Sequence, residues 1–439
     1  MSVERPAPNP EASAVVRERL GSIERLAEVL PAIHDVAAKY DGVYLVGGAV
    51  RDVLLGEQSL DLDVMVEGDA TAFARELARA LRGRSHPHDR FQTAVVTSAG
   101  ADGHEIRVDL ATARTETYAA PGALPEVERS TLHHDLARRD FTINAMAASL
   151  GAGDLGATYD LFGGYEDLRQ KTVRVLHDLS FVEDPTRLLR AIRYEARLGF
   201  RMDAHTEALA RGCISPGLLR DLASTRVRDE LLDLLGEERA TAALQRMADL
   251  GVDRALHPQI DAAAATVHAE AAHREMRGAL AEAHAPLVRL ACLCAEMTER
   301  DVREWLDALK FAGRDRDVVT AAVTQAPATA AQLSGDETPP LSELHTLFDE
   351  HPLEVLVMAI VLAWEPRVVA DRVHAYLERA RGVRLDITGD DLRQAGVPES
   401  PQLGAALKQT LALKLDGFVS GRDEELATAL RMLGRDVQE

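Results

Sequence analysis

The sequence predicts an α+β protein: an N-terminal head with a small mixed sheet, followed by an all-helical neck, body and tail. Three observations carry that expectation. Short apolar and β-branched runs alternate with helical periodicities over roughly the first 150 residues. Strand signals fade beyond Asp160, and helix starts with capping residues recur from there, as at Asp184-Pro185 and Asp203-Ala204. At 439 residues and 46% apolar content, the chain is long enough for a large core divided over several domains.

After a polar, proline-rich start, Ala14 to Lys39 reads as helical. Val43 to Val46 is a short strand that meets Gly47-Gly48 and then a helical pattern through Leu55, hence strand, tight turn, helix. LDLDVMV, Leu60 to Val66, is a second strand, Ala70 to Leu81 a helix, and FQTAVVT and HEIRVDLA two further strands. Between Asp109 and Arg138, ATARTETYAAPGALPEVERSTLHHDLA carries Pro, Gly and charges and reads as a mobile loop. Pro327 to Pro340 reads as a linker, a second break falls at Arg381 to Asp386, and the tail from Ile387 has a Gly/Pro turn between two short helices. These breaks set expected boundaries at 1–30 (N-terminal extension), 31–150 (head), 151–240 (neck), 241–375 (body) and 376–439 (tail).

Lys and Arg number 50 against 71 Asp and Glu, a formal net charge of -21, which argues against a protein coated in basic surface. A nucleic acid needs only a local basic track, so net charge does not settle the partner. The longest apolar run, Val355 to Trp364, is too short to cross a bilayer. The N-terminus lacks the basic-then-apolar order of a secretory signal, so a cytoplasmic protein without membrane partners is expected. Three cysteines, Cys213, Cys292 and Cys294, form no zinc or disulfide pattern and are expected as small buried hydrophobes.

The chemistry concentrates in YLVGGAVRDVLLGEQSLDLDVMVEGD, Tyr44 to Asp69. Asp61 and Asp63 lie two apart in a strand, so both carboxylates leave one face, opposite Leu60, Leu62 and Val64. Such a pair repels unless a cation lies between. A bare D-x-D reads as a solvated edge strand, but here Gly47-Gly48 open a helix carrying Arg51. Backbone N–H groups, a positive helix end and a guanidinium then converge as for a triphosphate. A nucleoside triphosphate with Mg²⁺ fits that kit. Asp109, in IRVDLA, reads equally as a third metal carboxylate or as a strand-end acid.

A second constellation sits in EDPTRLLRAIRYEARLGF, Glu183 to Phe200. Asp184 and Arg187, three apart at a helix start, present an acceptor beside a donor fork. That pair complements an exocyclic amine next to a ring-nitrogen acceptor, which adenine and cytosine offer and guanine and uracil do not. In isolation the same spacing reads as a helix-start salt bridge. Arg190 and Arg193 continue the face, while Leu188, Leu189, Ile192 and Ala196 supply a core stripe.

These motifs occur together with RRDFTINAMA (Arg138 to Ala147), YDLFGGYEDL (Tyr159 to Leu168) and STRVRDELLDLL from Ser224. In that order they resemble the class II tRNA nucleotidyltransferases, or CCA-adding enzymes, and their bacterial poly(A) polymerase relatives. The resemblance extends to ITGDDL and PQLGAAL in the tail. It implies a polymerase-beta-like nucleotidyltransferase head and template-independent building of the 3′ CCA end of tRNA from CTP and ATP, with release of pyrophosphate. It implies that Asp61 and Asp63 hold Mg²⁺, that Gly48, Arg51 and Arg139 hold the triphosphate, and that Asp184 and Arg187 select the base with help from Arg190 and Arg193. Arg138, Asp140 and Asn144 would be supporting and ribose-facing groups, and Arg197 solvated or structural. Partners are tRNA, ATP and CTP, with no DNA expected; the oligomeric state is not legible.

The segment between Asp109 and Arg138 matches the place of a flexible element needed for adenine addition, and HDRFQTAVV (His88 to Val96) is closer to the CCA-adding pattern than to the basic poly(A) polymerase one. An enzyme adding the terminal A alone, a poly(A) polymerase and a non-catalytic RNA-binding protein are the alternatives. No His-Asp doublet occurs in the C-terminal half, so the phosphohydrolase domain of many bacterial relatives is not expected.

Overall fold

The structure, a computed structural model, describes residues 6–21, 23–57, 61–88, 92–117, 126–214, 219, 224–335 and 337–434. Leu60, Phe91 and the stretch 118–125 of the expected loop lie outside them. The chain forms two compact units, Met1–Glu230 with Leu250–Ala255, and Leu231–Asp249 with Leu256–Glu439.

Among the described residues, those of the first unit up to Asp160 carry the strands β1 (Gly42–Val46), β2 (Leu62–Glu67), β3 (Arg84–His88), β4 (Thr93–Ala99), β5 (Glu105–Thr112), β6 (Arg114–Thr117), β7 (Glu126–Arg129), β8 (Met146–Ser149) and β9 (Thr158–Asp160). Seven form one sheet in the order β3-β4-β5-β2-β1-β8-β9. Only the β2–β5 pair is parallel, which makes the sheet mixed as expected. The order follows from burial. Val43, Tyr44, Leu45 and Val46 are all buried, so β1 is central. β3, RSHPH, is mostly exposed and holds Pro87, as an edge strand permits.

Helices α1 (Pro10–Leu20), α3 (Gly48–Leu55) and α4 (Ala70–Ala80) pack on this sheet, and α2 (Glu24–Ala37) packs on α4. The single helix expected over Ala14 to Lys39 is two, interrupted after Gly21, which caps α1. α4 starts where Asp69 accepts from the Ala72 N–H, and its Phe73, Ala74 and Leu77 are fully buried. α1 is tied to the sheet by Asn9 N–H donating to the Thr158 carbonyl at 2.7 Å.

The expected mobile loop after Asp109 is structured where it is described. β6 and β7 pair as an antiparallel ribbon, and α5 (Leu132–Ala137) buries Leu132 and Leu136. Beyond it come α6 (Gly164–Arg169), α7 (Ser180–Glu183), α8 (Thr186–Leu198), α9 (Ala204–Cys213) and α10 (Ser224–Gly236). Two short segments, Thr172–Val173 and Arg201–Met202, form a parallel pair, the one departure from an all-helical remainder among the described residues.

The second unit is helical. The expected linker begins instead as a helix, Ala326–Gln332, because Pro327 falls in its first turn, where its missing N–H is harmless. The tail has three helices, Gly389–Gln394, Pro401–Leu415 and Arg422–Met432, around Ile387, Leu392, Val397 and Ala429. Cys292 and Cys294 are buried in apolar surroundings that push the Cys292 thiol up to about 12. Cys213 is half-buried. Among the described residues no helix is long and apolar enough to cross a membrane.

Candidate functional site

The turn from β1 into α3 forms one wall. Gly47 has φ +67°, a conformation L side chains rarely adopt, and a Cβ there would stand 2.6 Å from Arg139 Nη1. Its N–H donates to the Met146 carbonyl, while the first amides of α3, from Gly48 on, have no partner within the helix. Arg51, one turn into α3, is 3% exposed. Its Nε and Nη2 donate to Asp52 at 2.8 and 3.0 Å, its Nη1 to Asn144 Oδ1 at 2.7 Å, and its guanidinium lies 5.2 Å from the Tyr194 ring centre.

The carboxylates come from the sheet. β2 turns Leu62 and Val64 into the core and Asp63 to the open face, in parallel register with Asp109 on β5. Crowding by surrounding protein, then the charges of Asp109 and Asp61, push the Asp63 carboxyl up to about 6 against the pull of Arg139 and Arg107. Asp63 nevertheless keeps solvent contact, since that face opens into the cleft. Asp109 is held bidentate by Arg107, both bonds at 2.8 Å. Among the described residues no three His, Cys, Asp or Glu side chains form a ready metal cluster. What this edge offers is a set of hard oxygen donors whose like-charge repulsion the arginines relieve only in part, a set that would suit Mg²⁺.

Arginines and their carboxylate partners make much of the remaining lining. Buried Asp135 accepts from Arg138 at 2.7 Å and from Arg139 at 2.9 Å. Burial alone would raise its pKa, but the two guanidiniums outweigh that and hold it below the usual carboxylate range. Arg139 Nε is buried with no hydrogen-bond partner among the described residues. Asp140 accepts from Arg190 Nε and Nη2 at 2.9 and 2.6 Å and from Asn144, so burial is again overcome and its pKa is lowered. Arg190 Nη1 and Arg193 Nη2 both reach Glu230 of α10, at 2.7 and 3.1 Å.

Asp184 lies just before α8, its Oδ1 accepting from Thr186 N–H and Oγ1. Its ion-pair partner is Arg226 of α10, not Arg187. Arg187 donates to the carbonyls of Arg138 at 3.2 Å and Ser180 at 3.5 Å. The helix-start salt bridge that the spacing allowed is therefore not formed.

Gly48, Arg51, Asp63, Arg139, Asp184, Arg187 and Arg190 line one cavity of about 630 Å³, with Arg138, Asp140 and Asn144 beside them. A second hollow of about 400 Å³, lined by Asp63, Asp109, Arg107 and His88, shares Asp63 and Arg139 with it. Asp61 is exposed and outside the lining of both, and Arg193, which donates to Glu230, is outside them too. Sequence reasoning missed Tyr194, Arg226, Asp229 and Glu230, which also line the cavity. The signal for the last three was the one-face spacing of Arg226 and Glu230 in STRVRDELL.

A mixed-sheet head with a glycine turn facing strand carboxylates, followed by helices, defines a nucleotidyltransferase architecture. The model of the poly A polymerase head domain matches residues 43–174, and that of the probable RNA and SrmB-binding site of polymerase A matches residues 199–264. The chain is 36% identical to the A-adding tRNA nucleotidyltransferase of Geobacter sulfurreducens over 402 residues, covering 89% of this chain but 45% of that protein. It is 32% identical to the A-adding tRNA nucleotidyltransferase of Halalkalibacterium halodurans, covering 92% of this chain and 91% of that one. The structure of the Thermotoga maritima CCA-adding enzyme complexed with tRNA superposes with a TM-score of 0.73 at 31% identity, over 96% and 98% of the two chains. The chain belongs to the class II tRNA nucleotidyltransferase and poly(A) polymerase family.

Proposed function

We propose that the protein is a template-independent tRNA nucleotidyltransferase that builds the 3′ CCA end from CTP and ATP. The observation that carries this is the convergence of Asp184 and Arg187 with Gly48, Arg51, Arg139 and Asp63 on one cavity. The free amides of α3, Arg51 and the unpartnered Nε of Arg139 bind the triphosphate. Asp184 accepts from the exocyclic amine of adenine or cytosine while Arg187 donates to the neighbouring ring nitrogen, leaving GTP and UTP with mismatched polar groups. Arg190 and Arg193 hold the helix face that carries this reader. Asp61 and Asp63 are the metal-holding pair, and Mg²⁺ bound there supplies charge stabilisation to the attacking hydroxyl and the leaving pyrophosphate. The helical body and tail, 241–439, grip tRNA by backbone and shape.

A second reading, addition of the terminal A alone, is favoured by the names of the Geobacter and Halalkalibacterium relatives. The test is incorporation of labelled CTP or ATP with Mg²⁺ onto tRNA ending before CCA, after C, or after CC. Incorporation of both nucleotides in order supports full CCA addition. Incorporation of A onto the CC-ended substrate alone establishes the second reading, and unlimited A addition establishes a poly(A) polymerase.

A further inference from the structure

Arg226 lines the nucleotide cavity yet has no part in the chemistry above. Its place in the hydrogen bonding of Asp184 supplies one. A carboxylate offers about four acceptor positions. Two, on Asp184 Oδ1, are taken by Thr186 N–H and Oγ1 at 3.2 and 2.6 Å. A third, on Oδ2, is taken by Arg226 Nη2, which also stands 3.5 Å from Thr186 Oγ1. Asp184 is 6% exposed, so the remaining position on Oδ2 is the one left for a ligand. Arg187 has no carboxylate partner among the described residues and keeps its charge for the base.

We propose that Arg226 is a specificity-determining positioning residue: by pinning Asp184 Oδ2 it fixes the direction of the last acceptor position and so sets the preference for adenine and cytosine over guanine and uracil. This rests on the base-reading assignment of Asp184 and Arg187. Without Arg226 the carboxylate pivots about its Thr186 bonds. It can then turn away from the O6 of guanine or O4 of uracil, and the penalty against them falls.

The test is steady-state incorporation of each of the four nucleotides by the full chain and by Arg226→Ala and Arg226→Lys, on tRNA ending before CCA and after CC. Loss of one charge-assisted hydrogen bond predicts a fall of about tenfold or more in the kcat/KM ratio of ATP over GTP and of CTP over UTP, where the parent uses each. Lys keeps the charge and the helix but not the planar fork, so it restores the melting temperature while leaving the ratio lowered. If the alanine variant does not fold, the lysine variant decides alone. A uniform loss for all four nucleotides, or an unchanged ratio, overturns the proposal and reduces Arg226 to a support for α10. A parent that incorporates no nucleotide overturns the functional reading as well, so the two failures are distinguishable.

Discussion

Gly47→Ala separates the two glycines of the turn. Gly47 has φ +67° and ψ -133°, a region essentially reserved for glycine, so any side chain there costs about 1–3 kcal/mol of strain. The added Cβ would also stand 2.6 Å from Arg139 Nη1 and push it from its place between Gly47 and Asp135. Strain of about 2 kcal/mol lowers the melting temperature of a body this size by roughly 4–8 °C. Displacing Arg139 removes a charge-assisted bond to the triphosphate, which raises KM for ATP by roughly 10- to 100-fold. Gly48→Ala is the control. It lies in helical backbone, where alanine is the better helix former by about 1 kcal/mol, and its Cβ would stand 3.2 Å from the Arg51 guanidinium, a few tenths of an ångström from ordinary contact. Thermal melts and steady-state kinetics on both variants check this. Equal melting temperatures for the two would refute the claim that Gly47 is the residue the turn depends on.

Asp61→Ala with Asp63→Ala should abolish nucleotide incorporation while tRNA binding, followed by gel shift, stays within about threefold of the parent, since phosphate contacts dominate that affinity. Incorporation at the parental rate would refute the metal assignment. Asp135 and Asp140 are held below the ordinary carboxylate value, so their contribution to stability is present above a pH of about 4 and is lost as pH falls through their folded values. The melting temperature should therefore hold from neutral pH down to about pH 5 and drop below about pH 4. Asp140→Asn, which strips Arg190 of a buried partner, should cost about 3–5 kcal/mol at neutral pH and flatten that drop. Binding of tRNA should weaken linearly on a log–log plot against salt, and a flat plot would contradict backbone recognition.

The strand-turn-helix of Gly42 to Leu55 was legible because a short apolar run, two glycines and a helical period meet within a few residues. The alternation in LDLDV showed which face Asp63 uses. β8 and β9 were not legible: MAAS and TYD are too short and too poor in β-branched residues to signal a strand, and the central β1 recruits β8 by tertiary pairing. Tyr194 lies outside the core stripe of α8 that the sequence shows, and no spacing marked it. Only the fold brings Arg51, Arg190 and Arg193 within 5.2, 5.8 and 5.5 Å of its ring. Arg226 showed its one-face spacing with Glu230 but not its role. Its partner, Asp184, is 42 residues away, and no local pattern reports a pairing at that distance.

The acidic composition and the arginine cluster are two sides of one device. Six arginines line the cavity together with five carboxylates, so its unliganded lining is close to neutral. Arg51 leans on Asp52, Arg139 on Asp135, Arg190 on Asp140 and Glu230, and Arg226 on Asp184. These acids relieve repulsion among the guanidiniums and fix their donors before substrate arrives, which lowers the reorganisation needed on binding. The same neutrality means that the lining cannot by itself offset the charge of a triphosphate. ATP should therefore bind as its metal complex, with affinity at least about tenfold weaker in EDTA than in Mg²⁺, measured by equilibrium dialysis at constant ionic strength. Equal affinity in the two would show that the arginines carry the phosphate charge unaided and that the balance drawn here between them and their carboxylates is wrong.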